Sequence, residues 1–236
     1  MKHLDSNSVL LTGANSGIGL ECAKALCAVG SKCDLTITVR DDEKGKDTVE
    51  LLRSINPECL VAYYVMDLAD HSSIRSFAKE FLATGKRLDI LINNAGLATN
   101  FPAAKRLSLP DNPRMEITMA VNCIGPFLLT SLLVDLLKES AKKRGDGNPS
   151  QVVNITSRIT TQTFASKCKF YFDDIMLDQP GHYIDGRQAY TCSKIGVNLW
   201  TQEMAMRLNQ KEVTVNALCP GFIPGTSIGR NSSKFM

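Results

Sequence analysis

Tyr190 and Lys194 stand four residues apart in the run Tyr190-Thr191-Cys192-Ser193-Lys194. On a helix that spacing puts both side chains on one face. An ammonium held beside a phenol favours the phenolate and lowers a pKa that is ordinarily about 10. A phenol tuned in this way serves as general acid toward a carbonyl oxygen or, in reverse, as general base toward an alcohol. By itself the spacing is weak evidence: the chain has five tyrosines, and Tyr190 could as well belong to the core.

A group that carries electrons would have to bind elsewhere, and the chain offers a place for it. A short apolar run passes directly into Thr12-Gly13-Ala14-Asn15-Ser16-Gly17-Ile18-Gly19, followed by a helical pattern. Glycines are required where a backbone turns sharply and comes close to a pyrophosphate, and the N–H groups at the start of the following helix receive the phosphate. Gly13, Asn15, Ser16, Gly17, Ile18 and Gly19 are therefore candidate cofactor contacts. The spacing is GxxxGxG, not the commoner GxGxxG, and a plain glycine-rich turn would look the same. The second apolar run ends in Thr38-Val39-Arg40. A carboxylate there would grip the ribose 2′-hydroxyl of NAD, whereas a guanidinium takes a 2′-phosphate in a forked contact. NADP(H) is thus expected over NAD(H), with Asp41 and Asp42 read as the start of the next helix. Asp67 and Leu68 end a third run, and Asn94, Ala95 and Gly96 end a fourth. Both lie where an open parallel sheet binds its ligands. Asp67 could hold an adenine amino group or simply cap the helix that begins near Ser72.

These residues need a scaffold. Strand-like runs at 9–12, 34–39, 61–66, 89–92, 151–156 and 214–218 alternate with helical patterns near 17–29, 42–54, 72–83, 113–141 and 188–209. Strands alternating with helices of this length imply βαβ units. The expected fold is α/β: one Rossmann-type doubly wound parallel sheet with helices on both faces, a single domain over 1–236. The stretch 158–187 is an enlarged loop, and loops of that length are usually functional or mobile.

Composition narrows the function. With 44% hydrophobic and 22% charged residues the chain is an ordinary soluble type. A net charge of +3, with Lys142, Lys143 and Arg144 read as a solvated helix end, gives no footprint for nucleic acid. The eight cysteines are scattered without a CxxC pair and the three histidines are isolated, so no metal is expected. The apolar run 127–137 is too short to span a bilayer, and the N-terminus has no signal-like segment. A cytoplasmic, reducing location is the default.

Taken together, TGANSGIG at 12–19, NNAG at 93–96, Asn122 in a helical pattern, Ser157 after a strand, YTCSK at 190–194 and Pro220-Gly221 resemble the short-chain dehydrogenase/reductase family, in that family's order. The resemblance covers nearly the whole chain. It implies that Ser157 holds the oxygen whose proton Tyr190 moves, that Lys194 also contacts the nicotinamide ribose, and that Asn122 supports a water leading from the lysine to solvent. The nicotinamide brings the hydride. Pro220, Gly221 and Thr226 are implied as further cofactor contacts, although Gly225 stands where the family more often has threonine. Bland readings remain for Ser157 as a turn cap and Asn122 as a polar helix residue.

Within the family the likeness is to the retinol dehydrogenase and protochlorophyllide reductase branch, through VRDDEKG at 39–45 and the enlarged loop with Phe172-Asp173-Asp174-Ile175. That implies an apolar carbonyl or alcohol substrate of retinoid, steroid or lipid type, and a homodimer or tetramer through the helices near 113–141 and 188–209. After Gly221 only the tail 222–236 remains, so the family's last strand and most of its substrate cover are expected to be lacking. An alternative is then a regulatory or scaffold protein that holds NADP(H) with little turnover. A nucleotide-sugar epimerase would share the tyrosine and lysine, but Arg40 and the short C-terminal part speak against it.

Overall fold

The computed structural model describes residues 7–29, 33–99, 104–107, 114–161, 168–221 and 223. Its six strands are β1 (Ser8–Thr12), β2 (Asp34–Val39), β3 (Leu60–Val65), β4 (Ile90–Asn93), β5 (Ser150–Ile155) and β6 (Val213–Leu218). They form one parallel sheet in the order β3-β2-β1-β4-β5-β6. The order reverses between β1 and β4, and at such a switch point the carboxyl ends of the strands open a crevice for a ligand. All five residues of β1 are buried, as a central parallel strand covered on both faces requires.

Among the described residues five helices cover the sheet: α1 (Gly17–Val29), α2 (Asp42–Ile55), α3 (His71–Ala83), α4 (Ile117–Arg144) and α5 (Gly186–Arg207). Side chains alternate across each strand, so β1 feeds two cores. Val9 and Leu11 pack with Leu35, Ile37, Ala23, Cys27, Val49 and Leu52 on the side of α1 and α2. Leu10 packs on the other side with Leu91, Val152, Ile74, Phe77, Phe81, Leu129, Leu133 and Leu137. Trp200, Met204 and Leu208 extend that second core. Ile74, Phe77, Ala78 and Phe81 recur at the three- and four-residue spacing of one helical face.

Three aspartates start three helices, each accepting a backbone N–H: Asp41 from Lys44 at 3.0 Å, Asp70 from Ser72 at 2.8 Å and Asp185 from Gln188 at 2.8 Å. The cap of α3 is thus Asp70, not Asp67. The helix expected near 113 begins at Ile117, capped by Glu116, whose side chain accepts from Met119 N at 2.8 Å. It runs on to Arg144 and stops at Gly145, whose φ of 68° suits a residue without a side chain. As a whole α4 is long and apolar enough to cross a membrane by length and composition, but most of its apolar window is buried inside the protein.

Arg144 is not the solvated helix end that its neighbours suggested. It binds the buried Asp89 at 2.7 Å, and Asp89 also accepts from Ser8 N at 2.9 Å. The start of β1, the approach to β4 and the end of α4 are fastened at that carboxylate. At the far side of the sheet β6 is the edge strand among the described residues, and Asn216, Ala217 and Leu218 are exposed. The loop 158–187 opens with a 3₁₀ turn, Arg158–Thr160. Residues 168–185 have no regular helix or strand. Of the tail 222–236 only Ile223 is described.

Candidate active site

The glycine turn sits at the switch point. Gly13 has a φ of 68°, and a β-carbon there would stand 2.9 Å from Ala95 Cα. At Gly19 a β-carbon would collide with the Gly13 carbonyl and the Asn94 amide. Side chains are excluded from this cradle, which is the fit that a closely approaching pyrophosphate needs. Gly17 opens α1, Ile18 follows in its first turn, and Asn15 and Ser16 form the turn before it.

The end of β4 is stitched to that turn. Thr12 Oγ1 accepts from Asn94 N at 3.1 Å and Ala95 N at 3.0 Å, while Asn94 Nδ2 donates to Thr12 O at 2.9 Å and Gly13 O at 3.2 Å. Asn94 therefore braces the cradle with its side chain. Its neighbour Asn93 is a buried strut: Nδ2 donates to Thr130 Oγ1 at 3.0 Å and Asn154 Oδ1 at 2.8 Å, and Asn154 passes the chain on to Thr201 at 2.9 Å. Thr12 heads the motif at 12–19, but nothing in the sequence marked Thr130, Asn154 or Thr201; their signal exists only once β4 and β5 are paired.

Arg40 is exposed at the end of β2. The two carboxylates that follow are engaged: Asp41 caps α2, and Asp42 accepts from Tyr63 Oη at 2.8 Å and pairs with Lys46 at 2.7 Å. Asp67 accepts from Ala69 N at 2.9 Å through one oxygen. Leu68 turns its side chain into the core, so only its backbone is available to a ligand. Gly96 lies close to both Asn122 and Lys194, whose atoms a β-carbon would meet at 3.2 and 3.6 Å.

Asn122 reaches this place through an irregularity in α4. Residues Ala120–Ile124 form a π turn, with Gly125 N bonding to Ala120 O. Pro126 has no N–H for the carbonyl four residues back, and widening the preceding turn accommodates that loss. A β-carbon at Gly125 would also strike the Leu68 carbonyl. The turned-out amide accepts from Leu97 N and donates to Leu97 O, both at 2.8 Å, and donates to Ser193 Oγ at 3.0 Å. It joins the segment after β4 to the helix that bears Tyr190.

Ser157 holds two posts. Its hydroxyl accepts from Ile159 N at 3.3 Å, capping the 3₁₀ turn, and it lies near enough to Tyr190 to influence its phenol. Asn198 steadies this corner by accepting from Thr156 at 2.7 Å and donating to Thr160 at 3.0 Å. Lys194 is 4% exposed and donates to the Ile155 carbonyl at 2.7 Å. Its ammonium is 5.9 Å from the centre of the Tyr190 ring.

The electrostatics differ from the sequence expectation. Burial raises the Tyr190 phenol above its usual value, with the nearby Ser157 hydroxyl pulling the other way. Burial also lowers Lys194, from 10.5 to about 8. Desolvation of both charged forms, which spacing alone does not reveal, outweighs their mutual influence here. Pro220 is half-buried and Gly221 exposed with a φ of 82°. Thr226 lies outside the described residues. Among the described residues no cluster of three or more His, Cys, Asp or Glu side chains is arranged to hold a metal ion.

Comparison with known proteins agrees with this geometry. The sequence pattern of the short chain dehydrogenase family matches residues 7–170 and 181–236. Human retinol dehydrogenase 11 is 35% identical over 229 residues, 97% of this chain and 65% of that protein. Bovine retinol dehydrogenase 12 is 38% identical over 215 residues, 91% of this chain and 61% of its own length. The chain thus spans less than two thirds of these relatives. Among solved structures, the Pseudomonas aeruginosa RhlG/NADP active-site complex superimposes with a TM-score of 0.71 at 25% identity, covering 96% of this chain and 76% of that one. With the glycine cradle, the parallel sheet and the sequence pattern in agreement, the chain belongs to the short-chain dehydrogenase family, and its likeness within that family runs to the retinol dehydrogenase-like branch.

Proposed function

We propose that the chain is an NADP(H)-dependent oxidoreductase that interconverts a carbonyl and an alcohol on an apolar substrate. The observation that carries this reading is the convergence of Ser157, Tyr190, Lys194 and Asn122 beside the cradle at Gly13 and Gly19, through the Lys194–Ile155 and Asn122–Ser193 hydrogen bonds and the approach of Gly96 to both Asn122 and Lys194. The cradle would hold the pyrophosphate, Asp67 the adenine and Arg40 a 2′-phosphate. When bound, the nicotinamide supplies or accepts the hydride. Tyr190 Oη gives a proton to the substrate oxygen during reduction and takes it back during oxidation. Ser157 Oγ donates to the same oxygen and steadies the charge that develops on it. Lys194 ties the tyrosine's helix to the serine's strand, and Asn122 holds the Leu97 segment against that helix.

Arg40 favours NADP(H), because the adjacent Asp41 and Asp42 are held by α2, Tyr63 and Lys46. The apolar substrate rests on the relatives being retinol dehydrogenases by name. The reading keeps the chain in a reducing compartment, the cytosol, where its eight free thiols stay reduced. It includes a homodimer or tetramer, supported by the exposed Phe127 of α4 and the exposed Leu199 and Met206 of α5. A second reading is NADP(H) binding with little turnover. NADPH oxidation with a panel of aldehydes, ketones and retinoids separates the two. Turnover that Tyr190→Phe abolishes supports the first. Turnover undiminished in that variant overturns the assignment, and tight NADPH binding without turnover selects the second.

A further inference from the structure

The sulfurs of Cys168 and Cys192 lie 3.4 Å apart. Cys192 is buried on α5, two residues beyond Tyr190, and Cys168 is half-buried on the loop before that helix. Each thiol also reaches across to the other's backbone: Cys192 Sγ lies 3.6 Å from the Lys169 carbonyl, and Cys168 Sγ lies 3.9 Å from the Gln188 carbonyl. A disulfide requires sulfurs about 2.05 Å apart. Loop 168–185 has no ladder or helix of its own to resist the small rotation that closes the gap.

The other close pair provides a contrast. Cys27, on the buried face of α1, and Cys59 are 3.0 Å apart, but both are buried, and burial together with the Cys59 hydrogen bond pushes the Cys27 thiol up. Thiols in that state are poor nucleophiles out of reach of solvent. Cys168 is opposite on both counts. It is accessible, and the hydrogen bond from Cys192 holds its thiol below the ordinary range, while the same bond and burial hold Cys192 above it. An accessible attacking sulfur beside a protonated resolving one is the arrangement that redox-active cysteines use.

We propose that Cys168 and Cys192 form a dithiol–disulfide site, oxidised by peroxides, that staples loop 168–185 to the helix carrying Tyr190. The Cys168 thiolate attacks a peroxide oxygen, the O–O bond breaks, and Cys168 becomes a sulfenic acid as hydroxide leaves. The Cys192 sulfur then attacks the sulfenic sulfur. The S–S bond forms, the S–O bond breaks, and the Cys192 proton leaves with the hydroxyl as water. With hydrogen peroxide, two thiols give two electrons and the products are one disulfide and two waters. A small thiol returns the pair to its reduced form by exchange.

Cleavage after arginine separates the partners, since 159–187 contains Cys168 as its one cysteine and 188–207 contains Cys192 as its one cysteine. Mild hydrogen peroxide on the folded full chain is expected to join these two peptides. The thermal midpoint should rise with the link, and dithiothreitol should reverse both changes. Cys192→Ser is expected to abolish the link and leave a sulfenic acid on Cys168 that a diketone probe traps. Cys168→Ser, the milder change because its site is half-exposed, is expected to melt as the reduced wild type does and to show no rise with peroxide. Peptides that stay separate while Cys168 is unmodified or carried on to sulfinic acid overturn the proposal. So does a link that forms only in urea. Mass and melting do not depend on turnover, so the result stands apart from the assigned reaction.

Discussion

Lys194 donates to the carbonyl of Ile155 at 2.7 Å, and that bond fastens the helix of Tyr190 to the strand end two residues before Ser157. An ammonium that accepts such complete burial is held at a cost, and the cost has a pH signature. The lysine's folded-state pKa of about 8 lies below its ordinary 10.5. Between those values the unfolded chain binds a proton that the folded chain does not, so stability rises with pH across that window.

The difference in unfolding free energy between wild type and Lys194→Met isolates this effect from the tyrosines and cysteines that titrate nearby. It is expected to shift in favour of wild type by roughly 3 kcal/mol between pH 8 and 10.5. Urea denaturation at a series of pH values measures it, and a flat difference would mean that the lysine is not desolvated as described.

Tyr190→Phe removes the proton donor and leaves the ring. Turnover is expected to fall by about 10²- to 10⁴-fold, with NADPH binding retained. Because burial keeps the phenol protonated past its usual range, carbonyl reduction should hold its rate through neutral pH. Alcohol oxidation, which needs the phenolate, should climb as pH rises. Initial rates in both directions across pH 6–10 check the sign.

Arg40→Ala is expected to weaken NADPH binding by about ten- to a hundredfold, the range of one charge-assisted contact, and to leave NADH binding nearly unchanged. Fluorescence titration of both nucleotides at two salt concentrations reads it, since an exposed guanidinium loses strength as salt rises. Equal loss for both nucleotides would assign Arg40 a structural part instead.

Asp89→Ala takes one partner from the guanidinium of Arg144, which keeps Asp146, and leaves the buried N–H of Ser8 without its acceptor. Breaking one side of a buried pair costs about 3–5 kcal/mol, and the midpoint of chemical denaturation is expected to fall accordingly.

Much of this was legible in the residues. The glycine turn and β2 fall where the pattern placed them, because glycine spacing and continuous apolar runs are local signals. The start of α4 was misplaced by a few residues, since a buried glutamate at 116 does not advertise itself as a cap. Asn93 stands in the NNAG run and is a strut between strands. That role depends on Asn154, 61 positions away, and exists only after the sheet has paired. The charges on Tyr190 and Lys194 were read from their spacing, but burial, which spacing does not encode, decides them.

The π turn at Ala120–Ile124 holds one residue more than regular winding would. In effect α4 is an ordinary helix with a residue spliced in. Excising one residue there would restore the regular coil with both flanking stretches in register, but would remove the wide turn that carries Asn122 out to Leu97 and Ser193. The C-terminal part, packed on α3 and anchored at Asp89, would keep its seat. Length at this point is therefore information: the extra residue is what aims Asn122.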